Sequence, residues 1–208
     1  NRSPSRYRVH LFPCNGTQYL KPPDRSTGRH ELIYSVSMED EVGHRQYRNL
    51  IKKIIDLQSK MSDHPIPLSG HFIDYRGSMI NWCPIGREAS TEKRNEFIKF
   101  DEQLDLRSEY LNRLNDLIAG ADLENLIKVK LGGDTSFDIY PTGWDKTYAL
   151  KHLSGYDVWF VGDRCGLTGN DYELYNHCGS QGFVSIGPAS TKKIIDEIIK
   201  NLEGGSGE

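Results

Sequence analysis

Tyr156-Asp157-Val158-Trp159-Phe160-Val161-Gly162-Asp163, followed by Gly169-Asn170-Asp171, is the stretch on which the fold turns. A compact apolar run that passes straight into Gly-Asp predicts a buried parallel strand with a carboxylate at its C-terminal end. In open α/β sheets that end of the strand is where ligands bind. A second carboxylate, reached through a Gly-rich loop, can fold back toward the first. Paired carboxylates there suit Mg²⁺, which takes hard oxygen ligands and keeps waters that a phosphate can share. The same residues also suit an Asx turn beside a helix cap, and spacing does not separate the two.

Outward from this stretch the pattern continues as α/β. A second short apolar run, Phe183 to Ile186, precedes a helix carrying Ile194, Ile195, Ile198, Ile199 and Leu202. Upstream of Pro141 the character differs. Phe72 to Arg76 and Met79 to Cys83, joined at Gly77-Ser78, predict an antiparallel hairpin. Helices follow, one from about Thr91 to Phe100 and one carrying Leu106, Tyr110, Leu111, Leu114, Leu117 and Ile118 that ends at Gly120. Leu126 to Leu131 and Phe137 to Tyr140 predict a second hairpin around Gly132-Gly133. This order gives an α+β unit on an antiparallel sheet.

Nearer the N-terminus, Tyr7 to Phe12 alternates as a strand would and Pro13-Cys14-Asn15-Gly16 breaks it. Residues 20 to 30 predict an exposed loop. Ser37 opens a helix, with Asp40 in capping position, and apolar residues at Tyr47, Leu50, Ile51, Ile54 and Ile55 carry it toward His64-Pro65-Ile66-Pro67. Glu203-Gly204-Gly205-Ser206-Gly207-Glu208 has the composition of a linker.

Composition narrows the function classes. The chain has 208 residues, 37% hydrophobic and 26% charged, as in ordinary globular proteins. A net charge of −3 gives no broad basic field for nucleic acid. No run of about 18 apolar residues is present for a membrane span. Cys14, Cys83, Cys165 and Cys178 are scattered, which fits reduced thiols and a cytoplasmic protein. The histidines, among them His30, His44, His64 and His71, show no zinc-ligand spacing. The candidate chemistry lies with three arginines, Arg76, Arg87 and Arg94, whose forks take phosphate oxygens in pairs. Ser136 and Asp138, two apart on a strand, share one face. Lys146, in Gly143-Trp144-Asp145-Lys146, could meet a phosphate as a point charge. Each motif alone is equally a solvated surface.

Taken in order, the motifs resemble one family. Tyr75-Arg76-Gly77-Ser78-Met79-Ile80-Asn81, Pro84-Ile85-Gly86-Arg87, Glu92-Lys93-Arg94-Asn95-Glu96-Phe97, Ser136-Phe137-Asp138, Gly143-Trp144-Asp145-Lys146 and Gly162-Asp163 through Gly169-Asn170-Asp171 are similar to those of eukaryotic-type phosphomannomutases, in the haloacid dehalogenase superfamily. The resemblance implies an α/β fold: a partial haloacid-dehalogenase, Rossmann-like core with an inserted α+β cap on an antiparallel sheet. Its divisions would be residues 1–37 (partial core), 38–141 (cap) and 142–208 (C-terminal core). It implies a hexose phosphate of the mannose 1- or 6-phosphate type as substrate, Mg²⁺ as cofactor, and a homodimer formed through the cap. Arg76, Arg87 and Arg94 would grip the phosphate, with Met79, Asn81, Ser136 and Asp138 about the sugar. Asp163, Asn170 and Asp171 would serve the metal, and Lys146 would neutralise the phosphoryl group in transit.

One departure is plain. Leu11-Phe12-Pro13-Cys14-Asn15-Gly16-Thr17 imitates the outline of the family's Asp-x-Asp-Gly-Thr, yet Pro13 and Asn15 stand where carboxylates belong. Neither can form an aspartyl-phosphate. This segment is expected to be the strand before the cap, with the nucleophile on a complementary N-terminal fragment or subunit and the chain alone inactive. The competing expectations are a sugar-phosphate-binding pseudoenzyme and a phosphatase of the same superfamily.

Overall fold

The computed structural model describes residues 4–61, 66–121 and 123–204. The chain divides into two compact units, Asn1–His152 and Leu153–Glu208.

In the first unit a 3₁₀ turn, Pro4–Arg8, leads to a single antiparallel bridge between Leu11 and Leu20. The strand expected over Tyr7 to Phe12 is therefore only a bridge. Val9 and Leu11 are 46% and 39% exposed, so the alternation has no buried face to hold it. The true hairpin lies just beyond, β1 (Gln18–Lys21) against β2 (Glu31–Ser35), with a register shift between Tyr19 and Leu20. The loop expected over residues 20 to 30 shrinks to the exposed link between these strands. Between the bridge and β1, Cys14–Gly16 forms a tight turn with Asn15 at φ 65° and Gly16 at φ 89°. A side chain at Gly16 would stand 2.5 Å from the Ala149 Cα, so this turn packs flat on the segment that follows Lys146.

Ser37 caps α1 (Met38–Val42) by accepting from the Asp40 N–H at 3.2 Å. The expected long helix is interrupted at Gly43, φ 86°, and resumes as α2 (His44–Ser59). Leu50, Ile54 and Leu57 face inward from α2, while Ile55 is 54% exposed. His64 and Pro65, the expected stop signal, lie outside the described residues, as do Gly205–Glu208 of the tail.

The centre of this unit is a four-stranded antiparallel sheet in the order β3 (Ile73–Tyr75), β4 (Ile80–Trp82), β6 (Ser136–Pro141), β5 (Ile127–Gly132). Its two hairpins stand where the sequence predicts them. Strand alternation divides the sheet cleanly. Ile73, Trp82, Phe137 and Leu131 are paired in register on one face, with Ile80, Ile139 and Val129 beside them. This apolar face shares one core with α2, α3 (Thr91–Leu104) and α4 (Leu106–Ala119), through Leu50, Ile54, Phe97, Tyr110 and Leu114. The opposite face is therefore free to carry polar groups.

Tyr47 on α2 sits against Tyr75 with ring centroids 5.4 Å apart. Burial first, then the neighbouring Tyr75 and Glu39, push its phenol up to about 12 from the usual 10.0. The folded protein thus holds this proton more tightly than the unfolded chain does. The contribution to stability is whole below pH 10 and is lost as pH rises through 12. Urea titrations of Tyr47→Phe and the parent across that window should show the parent losing stability more steeply. Parallel curves would contradict this.

The second unit pairs β7 (Phe160–Gly162) in parallel with β8 (Gly182–Val184), joined through α5 (Tyr172–Cys178) and followed by α6 (Pro188–Gly204). The parallel strand is shorter and wetter than the run Tyr156 to Val161 suggests. A turn bond from the Tyr156 N–H to the Leu153 carbonyl delays it, and Tyr156 is 74% exposed. β8 likewise stops at Val184, leaving Ile186 exposed. No helix among the described residues is long and apolar enough to cross a membrane.

Candidate functional site

The polar face of the four-stranded sheet carries a row set by backbone register. Asp74 on β3 pairs with Asn81 on β4, Asn81 with Asp138 on β6, and Asp138 with Lys130 on β5. Cross-strand partners face the same way, so these four side chains line up across the sheet. Asn81, Ser136 and Asp138 are all buried. The Asn81 amide donates to Asp138 Oδ1 at 2.8 Å and to Ser136 Oγ at 3.1 Å. Its carbonyl oxygen accepts from Arg87 Nη1 at 2.7 Å. Each amide atom of Asn81 is thereby committed, which holds the buried Asp138 carboxylate in one orientation.

Loop chemistry delivers the arginines. Arg76 closes the β3–β4 turn, its N–H donating to the Met79 carbonyl at 2.9 Å around Gly77 at φ 83°. Arg87 follows Gly86, and its N–H donates to the His71 carbonyl. Arg94 is in the first turn and a half of α3, which Ser90 caps. Its Nε donates to the Ala89 carbonyl at 3.0 Å and its Nη1 to Thr135 Oγ1 at 3.0 Å, while Nη2 reaches the Arg87 carbonyl. Arg87, Arg94, Asn81, Ser136 and Asp138 therefore form one neighbourhood, which Arg76 joins through Asp74. Met79 lies buried beside it with Tyr140, Trp144 and Tyr148.

Two members escape the sequence reading. Asp74 accepts from Arg76 Nε at 2.9 Å and lies 3.4 Å from Arg87 Nε. Thr135 anchors Arg94. The signal for Asp74 is its place two residues before Arg76 in the predicted run Phe72 to Arg76, the same rule that pairs Ser136 with Asp138; Thr135 carries no comparable signal.

Lys146 begins a 3₁₀ helix, Lys146–His152, whose start Asp145 fastens by accepting from the Thr147 N–H at 2.9 Å and hydroxyl at 2.6 Å. Against it lies the turn that imitates an Asp-x-Asp motif. Asn15 donates its amide to the Trp144 carbonyl at 3.0 Å, so it serves as a strut. The Cys14 thiol there is pushed up, first by burial, with the Ser78 hydrogen bond and Arg76 pulling the other way.

In the second unit, Asp163 is exposed at the end of β7 and Asp171 is buried. Asp171 Oδ2 accepts from the N–H groups of Asp163 at 3.1 Å and Arg164 at 2.9 Å, and the Asp171 N–H donates to the Arg164 carbonyl. The loop is thus drawn back on itself, with Gly169 so close to the Arg164 carbonyl that a Cβ would stand 2.1 Å from it. Asn170 lies within the same loop. These donors are oxygens of the hard kind that suit Mg²⁺. Among the described residues no group of three or more His, Cys, Asp or Glu could hold a metal ion by itself. An ion here would take its remaining ligands from water, phosphate or another segment.

A family model, "PMM: Eukaryotic phosphomannomutase", matches residues 10–201. The chain belongs to the eukaryotic phosphomannomutase family. A phosphomannomutase of Encephalitozoon cuniculi is 33% identical over 92% of this chain and 71% of its own length. Those of Drosophila melanogaster and Saccharomyces cerevisiae are 31% and 36% identical, with 71% and 64% of their lengths covered. Among solved structures, the N-terminally truncated IMP-nucleotidase of Plasmodium falciparum with bound IMP aligns over 95% of this chain, at TM-score 0.56 and 15% identity. The chain spans half of that protein, and the likeness is one of fold alone. The α/β architecture with an antiparallel sheet is the part of the fold that this likeness shows. Every motif of the polar sheet face falls inside the phosphomannomutase match.

Proposed function

We propose that this chain holds the substrate for a phosphomannomutase-type phosphotransfer on a hexose phosphate of the mannose 1- or 6-phosphate type. The observation that carries the reading is the run of contacts that joins Arg76 to Arg87 through Asp74, Arg87 to Asn81, and Asn81 to Ser136 and Asp138, with Arg94 held on the Arg87 carbonyl, on a chain of this family. Always-charged guanidinium groups suit phosphate oxygens, and a buried carboxylate beside a hydroxyl suits sugar hydroxyls. On this reading residues 38–141 are the cap and residues 1–37 and 142–208 belong to the core.

The 208 residues contain no Asp-x-Asp pair, so the carboxylate that accepts the phosphoryl group comes from outside them. That carboxylate would take the phosphoryl group from one sugar oxygen and return it to another. Lys146 would offset negative charge at the transferring group. Asp163, Asn170 and Asp171 would hold Mg²⁺, which supplies charge neutralisation to a phosphate when bound. The setting is a cytoplasmic one, in mannose metabolism.

Calorimetry of the 208-residue chain with mannose 6-phosphate against mannose tests the reading. Phosphate-dependent binding is expected. Arg87→Ala should weaken it by about 10- to 100-fold, as for loss of a charge-assisted bond with a second partner left unmet. Equal affinity for both sugars would refute the site. Adding an N-terminal core fragment that bears Asp-x-Asp should bring mutase turnover. Binding without turnover would favour a pseudoenzyme. Phosphate release without isomerisation would favour a phosphatase.

A further inference from the structure

We propose that Asp74 is the positioning residue of the arginine site, resting on the functional reading above for the ligand that the arginines take. Its carboxylate is three-quarters buried in the side chain, 24% exposed, at the edge of the polar row. Oδ2 receives Arg76 Nε at 2.9 Å and stands 3.4 Å from Arg87 Nε. Both guanidinium groups are thus held by the same kind of nitrogen, the one nearest the stem. Arg87 is pinned a second time, through Nη1 to Asn81. Among the described residues this leaves both terminal nitrogens of Arg76, and Nη2 of Arg87, without a protein partner.

Two neighbouring guanidinium groups repel one another, and each stem has several rotatable bonds. A shared carboxylate offsets the repulsion and fixes both planes while the terminal N–H edges stay available for an anion. The hairpin makes this possible: Arg76 opens the turn two residues after Asp74, and the Asp74–Asn81 pairing puts Arg87's second anchor directly opposite.

This role makes a prediction opposite in sign to simple electrostatics. A carboxylate beside an anion site repels the anion, so charge alone says that Asp74→Asn should bind phosphate esters more tightly. A positioning role says that it should bind them more weakly, because the forks lose their fixed spacing.

The test measures binding of mannose 6-phosphate and of inorganic phosphate to the 208-residue chain by calorimetry. The arginine Nε–H signals of Arg76 and Arg87 are followed in parallel by ¹⁵N NMR. Asp74→Asn is expected to weaken mannose 6-phosphate by about tenfold or more, roughly the 1.4 kcal/mol of one such step, while inorganic phosphate binds as before or tighter. The Nε–H signals should broaden or vanish, and Asp74→Glu should restore part of the affinity. Unchanged or tighter mannose 6-phosphate binding by a folded Asp74→Asn protein overturns the proposal, as do unchanged Nε–H signals. If the unsubstituted chain binds no sugar phosphate, the functional reading fails instead. The Nε–H comparison then still decides whether Asp74 holds the two arginines.

Discussion

Gly86→Ala is expected to destabilise the first unit by about 2–5 kcal/mol and to abolish measurable hexose-phosphate binding. Two independent costs add. Gly86 sits at φ 87°, where a side chain costs about 1–2 kcal/mol. A Cβ would also stand 2.1 Å from the Gly70 carbonyl oxygen and 2.9 Å from its nitrogen, both rigid backbone, so the two loops must part. Overpacking of that kind costs about 1–3 kcal/mol. The separation would break the bonds that tie these loops, from the Ser69 N–H to the Ile85 carbonyl at 2.9 Å and from the Arg87 N–H to the His71 carbonyl at 3.1 Å. Arg87 leaves directly from this turn, and Arg94 is anchored on the Ala89 and Arg87 carbonyls, so both lose their footing. Urea unfolding of Gly86→Ala beside Gly133→Ala checks the argument. Gly133 has nothing within 4 Å of an added Cβ, and its substitution should change stability by no more than about 0.5 kcal/mol. Equal stability of the two variants would show that the close approach to Gly70 is wrongly placed.

Trp82→Ala should cost about 3–5 kcal/mol, the range for emptying a large buried aromatic site. Trp82 is 0% exposed, stacks on Phe137 with centroids 5.0 Å apart, and meets Tyr110 at 6.3 Å. Its indole N–H donates to Gln58 Oε1 at 2.7 Å, tying β4 to the end of α2. Trp82→Phe keeps most of the apolar volume and loses that bond, so it should cost less. Because Asn81 is the next residue on the opposite face, loosening Trp82 should also weaken hexose-phosphate binding. Calorimetry and urea unfolding on the same preparations separate the two effects. A Trp82→Ala protein within about 0.5 kcal/mol of the parent, in the scatter of surface substitutions, would contradict the core assignment.

The two predictions concern a loop that carries arginines and the apolar face of the sheet beside it. Both hairpins of that sheet were legible because their β-prone runs are bounded by Gly-Ser and Gly-Gly turns, and period-two patterning needs no distant partner. The Ser37 and Ser90 caps stand at helix starts, Ser37 where the sequence puts it, since capping is settled within three residues. The N-terminal region departs from its sequence pattern for the converse reason. Tyr7 to Phe12 has the alternation of a strand, but only pairing makes a strand, and of this segment Leu11 alone is bridged, to Leu20. The parallel strand at Phe160 was found in kind but not in length, because the turn at Leu153–Tyr156 is not encoded in the apolar run itself.

The sequence by itself determined the family, the order of the elements and the residue types of the arginine neighbourhood, because these reside in local motifs and their order along the chain. Only the tertiary structure decided how they are joined. Asp74 meets Arg87 because β3 and the turn at Gly86 are brought side by side, and Asn81 bridges Arg87 to Asp138 because β4 pairs with β6 across two intervening helices. Hydrogen bonds depend on distance and angle within a few tenths of an ångström, and chain spacing carries no such information for residues this far apart.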